Sequence, residues 1–195
     1  MDMTTPEILL AALIFVVLLV CSFFFSASET ALTATSRARM LQLASGGDAR
    51  AALVNRLLET RERLIGSILV GNHVVNTAAA ALASGVLIAI FGDIGVLYAT
   101  LLVFPMVIVF SEVMPKMLAI NYPERVAMLV AGVIAVFVRV FGPLTMAIEW
   151  CVTRMLRLFG FRIRDGASPI SGAEEIRGTV DLLAKEGSVG RDARN

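Results

Sequence analysis

The chain has 195 residues, of which 57% are hydrophobic and 17% charged, with a mean hydropathy of +0.82 and a net charge of +1. So apolar a composition excludes an ordinary soluble domain, and so small a net charge leaves no basic footprint for nucleic acid. The apolar residues lie in long blocks without period-two alternation, which predicts helices rather than a transmembrane barrel.

Met1–Glu7 carries no Lys or Arg, and the apolar block after it is too long for a cleavable signal peptide. That block, Ile8–Phe25, is uncharged and long enough to cross a bilayer. It ends in oxygen-bearing side chains, Ser26, Ser28 and Glu29, where further leucine would be the easier choice. Next come two short helices within residues 36–62, broken at Ser45-Gly46-Gly47-Asp48, with Asp48 as the N-cap of the second.

A second uncharged block, Leu64–Phe91, begins with small and polar residues (Gly66, Ser67, Gly71, Asn72, His73, Asn76, Thr77), and a third runs from Ile94 to Ser111. The intervening "FGDIG", residues 91–95, reads as a tight turn. Val126–Val138 and Val140–Ile148 are shorter, and Arg139 and Gly142-Pro143 separate them. Residues 123–161 therefore read as a broken amphipathic helix along the membrane rather than a fourth span, with Arg139, Arg154, Arg157, Arg162 and Arg164 at headgroup level. The tail from residue 165 is rich in Gly, Ser and Pro, then has a short amphipathic helix around Glu174–Lys185.

Of the 17 basic residues none lies in 1–36 or 64–115, six lie in 37–63 and eleven lie from Lys116 onward. That asymmetry predicts an outside N-terminus, a cytoplasmic 36–62 segment and a cytoplasmic C-terminus. Three spans satisfy it, whereas a fourth exports the basic tail.

Residues four or seven apart share a helix face. Ser22, Ser26 and Glu29 line one face of the first span, and Asn72 and Asn76 one face of the second, with Gly71 beside them. The third span supplies Glu112, and Pro105 and Pro115 strip a donor from the carbonyls at 101 and 111. Hydroxyl, amide, carboxylate and carbonyl oxygens form the ligand set of a hard cation such as Mg²⁺. Plainer roles stand beside this one. Serine and asparagine between membrane helices also serve as hydrogen-bonding glue, Glu112 and Lys116 have the i,i+4 spacing of an ion pair, and Glu29 can reach the interface. His73 lies off the Asn72 face and reads as packed. Cys21 and Cys151 lack metal-ligand spacing and read as inert. No enzyme is expected, since the lone His73 has no nucleophile at a recognisable spacing and no phosphate-binding glycine loop is present.

"FFSASETAL" (24–32), "LVGNHVVN" (69–76) and "FSEVMPKMLA" (110–119) resemble, in order and spacing, the three signature stretches of the CorB/CorC and cyclin M (CNNM) family of magnesium transporters. The resemblance covers most of residues 5–160. It implies an all-α integral membrane protein with three transmembrane helices (about 8–30, 64–91 and 94–119), a cytoplasmic helical pair (36–62) and a juxtamembrane amphipathic belt helix (123–161). It further implies a homodimer in the cell inner membrane and sodium-coupled Mg²⁺ export, with Na⁺ as coupling ion. Residues 1–164 then form the transport domain. Residues 165–195 resemble the linker to a nucleotide-binding CBS-pair domain that this sequence does not contain. The metal ligands implied are Ser22, Ser26, Ser28, the Gly71 carbonyl, Asn72, Asn76 and Glu112. Ala27 and Ser111 stand where the family pattern has glycine; neither change removes a ligand. Two alternatives to transport are a Mg²⁺-sensing membrane scaffold and a Mg²⁺ channel.

Overall fold

The computed structural model describes residues 4–158; the expectations for residues 159–195, including the 174–185 helix, Arg162 and Arg164, lie outside them. The chain divides into two units, Met1–Ile148 and Glu149–Asn195. Among the described residues every regular element is helical.

Helix α1 (Thr5–Ala34) starts where Pro6 tolerates a missing donor and the Glu7 carboxylate accepts the Thr4 amide at 2.7 Å. It ends at Thr35, whose extended backbone hands over to Ser36, the N-cap of α2 (Arg37–Ser45). Asp48 caps α3 (Ala49–Glu59), accepting from the amides of Arg50 and Ala51 at 2.8 and 3.2 Å. Thr60 breaks the chain into α4 (Arg61–Phe91). The following turn needs its glycines: Gly92 has φ +64°, and a Cβ on Gly95 would stand 2.2 Å from the Leu87 carbonyl oxygen.

The third rod is not a plain α-helix. It runs as α5 (Ile94–Tyr98), a π-helical stretch π1 (Ala99–Val103), α6 (Phe104–Val107), a second stretch π2 (Ile108–Val113) and α7 (Met114–Asn121). Each π stretch ends two residues before a proline, Pro105 or Pro115. Proline lacks an amide hydrogen, and its ring crowds the carbonyl four residues back. Widening the preceding turn to i→i+5 bonding relieves both problems. Accordingly the amides of Phe104 and Met114 donate five residues back, to Ala99 and Val109.

Helix α8 (Pro123–Leu158) is one continuous helix through Arg139, Gly142 and Pro143. This corrects the reading of residues 123–161 as a broken helix; one internal proline removes one hydrogen bond and does not end the helix here. Its Ala127, Val130, Ala131 and Ile134 follow an i, i+3, i+4, i+7 stripe and join Leu32, Met40, Val54, Leu64 and Ile68 in the buried core. The core therefore lies where the short pair α2–α3 meets the ends of α1, α4, α7 and α8. The opposite face of α8 exposes Leu129, Val133, Val136 and Val140.

Four helices, rather than three, are long and apolar enough to cross a membrane: Thr5–Ala34, Arg63–Phe91, Ile94–Asn121 and Pro123–Leu158. This is a multi-pass, all-α membrane protein. The fourth candidate differs in how it packs. From Glu124 to Met146 it rises about 33 Å at 1.5 Å per residue, but its polar and aromatic contacts fall on Arg39, Phe25 and residues 63–71 of α4. Residues 63–71 cover only about 12 Å of α4. Helix α8 thus meets α4 only over the first turns of α4, through its own residues 137–146.

Candidate functional site

Of the residues singled out from sequence, Ser22, Asn72 and Asn76 come together directly. The Ser22 hydroxyl lies 3.1 Å from Asn72 Oδ1 and closer still to Asn76 Oδ1. The two asparagines are one turn apart on α4, so both amides reach the same point on α1. Ser22 is fully buried and Asn72 nearly so. A serine hydroxyl has one proton, so it serves only one of the two amide oxygens at a time. The NH2 group of the other asparagine can donate to the Ser22 oxygen when that amide is turned over.

Ser26, one turn further along α1, is fully buried and its hydroxyl has no hydrogen-bond partner. A buried unpaired hydroxyl costs about 1–3 kcal/mol. Ser28 differs. Its hydroxyl donates to the Phe24 carbonyl four residues back at 2.6 Å, which turns it toward its own helix. Glu29 is half-buried at the same end.

Gly71 serves packing. A Cβ there would stand 2.7 Å from Phe137 Cζ and 3.0 Å from Phe25 Cε1, so the missing side chain admits two aromatic rings. Phe25 and Phe137 meet edge-on with centroids 4.8 Å apart, and Phe137 stacks on Phe141 at 4.4 Å. The Gly71 carbonyl belongs to the long helix α4.

Glu112 lies in π2, which packs against α1 and α7. It is half-buried, and among the described residues it makes no hydrogen bond or ion pair. The i,i+4 pair with Lys116 expected as an alternative is not formed; the π turn between them alters the register that i,i+4 spacing assumes. The ion pair that does form, Arg39 Nε to Glu124 Oε2 at 3.0 Å, joins α2 to α8.

Sequence reasoning passed over Ser111 as a ligand. It is the one buried residue of π2, fully enclosed, and its hydroxyl is unpartnered. The signal available was its place beside Glu112 and four residues before Pro115. His73 proves exposed rather than packed; Cys21 and Cys151 are free thiols. Among the described residues no group of three or more His, Cys, Asp or Glu gathers. The arrangement offers one carboxylate and several neutral oxygens, which fits a hard cation and not a soft one.

Comparison with known proteins gives the family. Residues 13–193 match the family model for the cyclin M transmembrane N-terminal domain. The chain is 37% identical over 160 residues to the UPF0053 inner membrane protein YfjD of Escherichia coli (strain K12), covering 82% of this chain and 37% of that protein. It is 30% identical over 170 residues to a UPF0053 protein of Haemophilus influenzae, covering 86% of this chain and 40% of that one. A protein of Haemophilus influenzae named polyamine export protein is 27% identical over 194 residues, 93% of this chain and 44% of that protein. The chain therefore spans well under half the length of these relatives. With its helical membrane architecture and a matched region running from the first span into the tail, the chain belongs to the cyclin M transmembrane domain family.

Proposed function

We propose that this chain binds Mg²⁺ inside the membrane and moves it outward in exchange for Na⁺, through a site reached from the cytoplasm. The observation that carries the reading is the convergence of the Asn72 and Asn76 amide oxygens on the single hydroxyl of Ser22. Neutral hydroxyl and amide oxygens gathered at a buried point between two membrane helices are groups that a hard cation accepts as ligands. Ser26 adds a free hydroxyl, and Glu112 adds the charge that partly neutralises the ion. Mg²⁺ commonly uses only one or two carboxylates and keeps some waters, so the shortage of acidic groups is consistent with it. Ser28 and the Gly71 carbonyl are the weaker members of the set, being engaged elsewhere.

The same reading gives three spans, with α8 as a juxtamembrane belt, and puts the N-terminus outside and the α2–α3 pair and C-terminus in the cytoplasm. It takes two copies to form the working unit in the inner membrane. Nucleotide control would enter only through a following CBS-pair domain, with residues 1–164 as transport domain and 165–195 as linker.

Calorimetric titration of Mg²⁺, followed by flux into proteoliposomes with and without a sodium gradient, tests it. Saturable, sodium-dependent flux supports export by exchange. Binding without flux makes the chain a sensor or scaffold, and unsaturable flux indifferent to sodium makes it a channel.

A second reading comes from the relative named for polyamine export. A polyamine carries several ammonium groups along an extended chain and calls for several spaced carboxylates. The oxygens here converge on one point, with a single acid on the segment π2 that packs against α1, which suits a compact ion better. Spermidine competing with Mg²⁺ at equal concentration would reverse that preference.

A further inference from the structure

Seven side chains in the described bundle bury a hydroxyl and show where it goes, or fails to go. Ser28 and Thr35 each donate to the carbonyl four residues back, Ser67 pairs with Thr145, and Ser22 meets the two asparagines. Only Ser26 and Ser111 are fully buried with an unpartnered hydroxyl. Back-bonding to its own helix is the ordinary refuge of a buried serine, and Ser111 does not take it. Its hydroxyl is thus left at a buried position with no partner among the described residues. It is the only buried residue of π2, a segment packed on the helix that carries Ser22 and Ser26, and the next residue is Glu112.

We propose that the Ser111 hydroxyl is itself a ligand of the divalent cation, an oxygen donor from the third rod that works beside the Glu112 carboxylate. This rests on the cation site proposed above and adds a ligand to it. A macromolecular partner cannot be the missing group, because Ser111 is 0% exposed. A small ion can reach such a position, and a hydroxyl suits Mg²⁺ because hard cations prefer neutral and anionic oxygen to nitrogen or sulfur.

The test is calorimetric titration of Mg²⁺ into the full chain in lipid nanodiscs, with Ser111→Ala, Ser111→Cys and Glu112→Gln beside wild type, all in a Cys21→Ala/Cys151→Ala background. Thermal unfolding without metal runs in parallel. Ser111→Ala should weaken Mg²⁺ by about tenfold, the scale of one neutral oxygen exchanged for water, while its metal-free unfolding temperature equals or exceeds wild type. Ser111→Cys should lose Mg²⁺ and gain Cd²⁺, because sulfur favours the softer ion; a role in packing alone would not switch the metal. Ser111→Ala binding Mg²⁺ like wild type, with Glu112→Gln still defective, would overturn this inference and leave the site standing. Wild type failing to bind Mg²⁺, or Glu112→Gln binding normally, would remove the site and this ligand with it.

Discussion

Glu112 and Gly71 illustrate two different kinds of functional constraint at single residues. Glu112 is the only carboxylate on π2 and has no hydrogen-bond or ion-pair partner among the described residues, so its charge is left for something else. Replacing it by glutamine keeps the shape and removes the charge. Mg²⁺ affinity should fall by at least about a hundredfold, since charged interactions in a low-dielectric site exceed neutral ones severalfold, and calorimetry reads this directly. Retained affinity would disqualify the carboxylate. Gly71 acts through volume. Gly71→Ala pushes a methyl into the Phe25–Phe137 contact, and overpacking of this kind costs about 1–3 kcal/mol. The unfolding temperature should drop, and Phe137→Leu, which withdraws the ring, should restore part of it. A variant as stable as wild type would show the rings free to move. The Ser67–Thr145 hydrogen bond at 2.9 Å is a third case, buried between α4 and α8. Thr145→Val strands the Ser67 hydroxyl and should destabilise by about 1–3 kcal/mol while Mg²⁺ affinity stays unchanged.

The third rod carries the clearest consequence at the level of the element. Each proline is preceded by a widened turn, and π2 sets the directions in which Ser111 and Glu112 project. Pro115→Ala returns an amide donor and removes the ring clash, allowing π2 to tighten toward α-helix. The peptide gains a hydrogen bond and the site loses its register. Mg²⁺ binding should weaken while helix stability holds or rises, which calorimetry and amide hydrogen exchange measure together. Unchanged binding would mean the π turn plays no part in aiming these side chains. The prolines were visible in the sequence, and so was the release of carbonyls before them. That the chain answers by widening, and not by kinking, was not visible, because a proline admits both outcomes.

For the whole molecule the open quantity is where α8 sits. It is apolar and long enough to span, but its contacts cross only the first turns of α4, and its buried stripe shares a core with the α2–α3 pair. A helix held at that level keeps its exposed Leu144 on the same side of the membrane as the pair. An impermeant maleimide, applied to right-side-out and inverted vesicles of Cys21→Ala/Cys151→Ala protein, should label a cysteine placed at Leu144 from the same face as one placed at Ser45. Labelling from opposite faces would make α8 a fourth span. The Arg39–Glu124 ion pair adds little to holding it, because both side chains meet solvent; Arg39→Ala should cost under about 1 kcal/mol and less in high salt.

Length and hydropathy alone settled that the chain is helical and membrane-embedded, because a bilayer admits only elements that satisfy their own backbone. Spacing of four and seven also placed Ser22 with Ser26, and Asn72 with Asn76, on common faces, and Asp48 was legible as a cap from its position before an apolar run. Which faces meet was a different matter. That Ser22 stands between two amides, that Ser28 turns inward on its own helix, that Glu112 and Lys116 do not pair and that Ser111 is sealed without a partner among the described residues depend on how α1, α4 and π2 pack. The continuity of α8 through Pro143 depends on neighbours as well, since the rings of Phe25, Phe137 and Phe141 and the Ser67–Thr145 bond hold the helix on both sides of that break. Local periodicity fixes the direction of a side chain about its own axis; only tertiary packing decides what waits there.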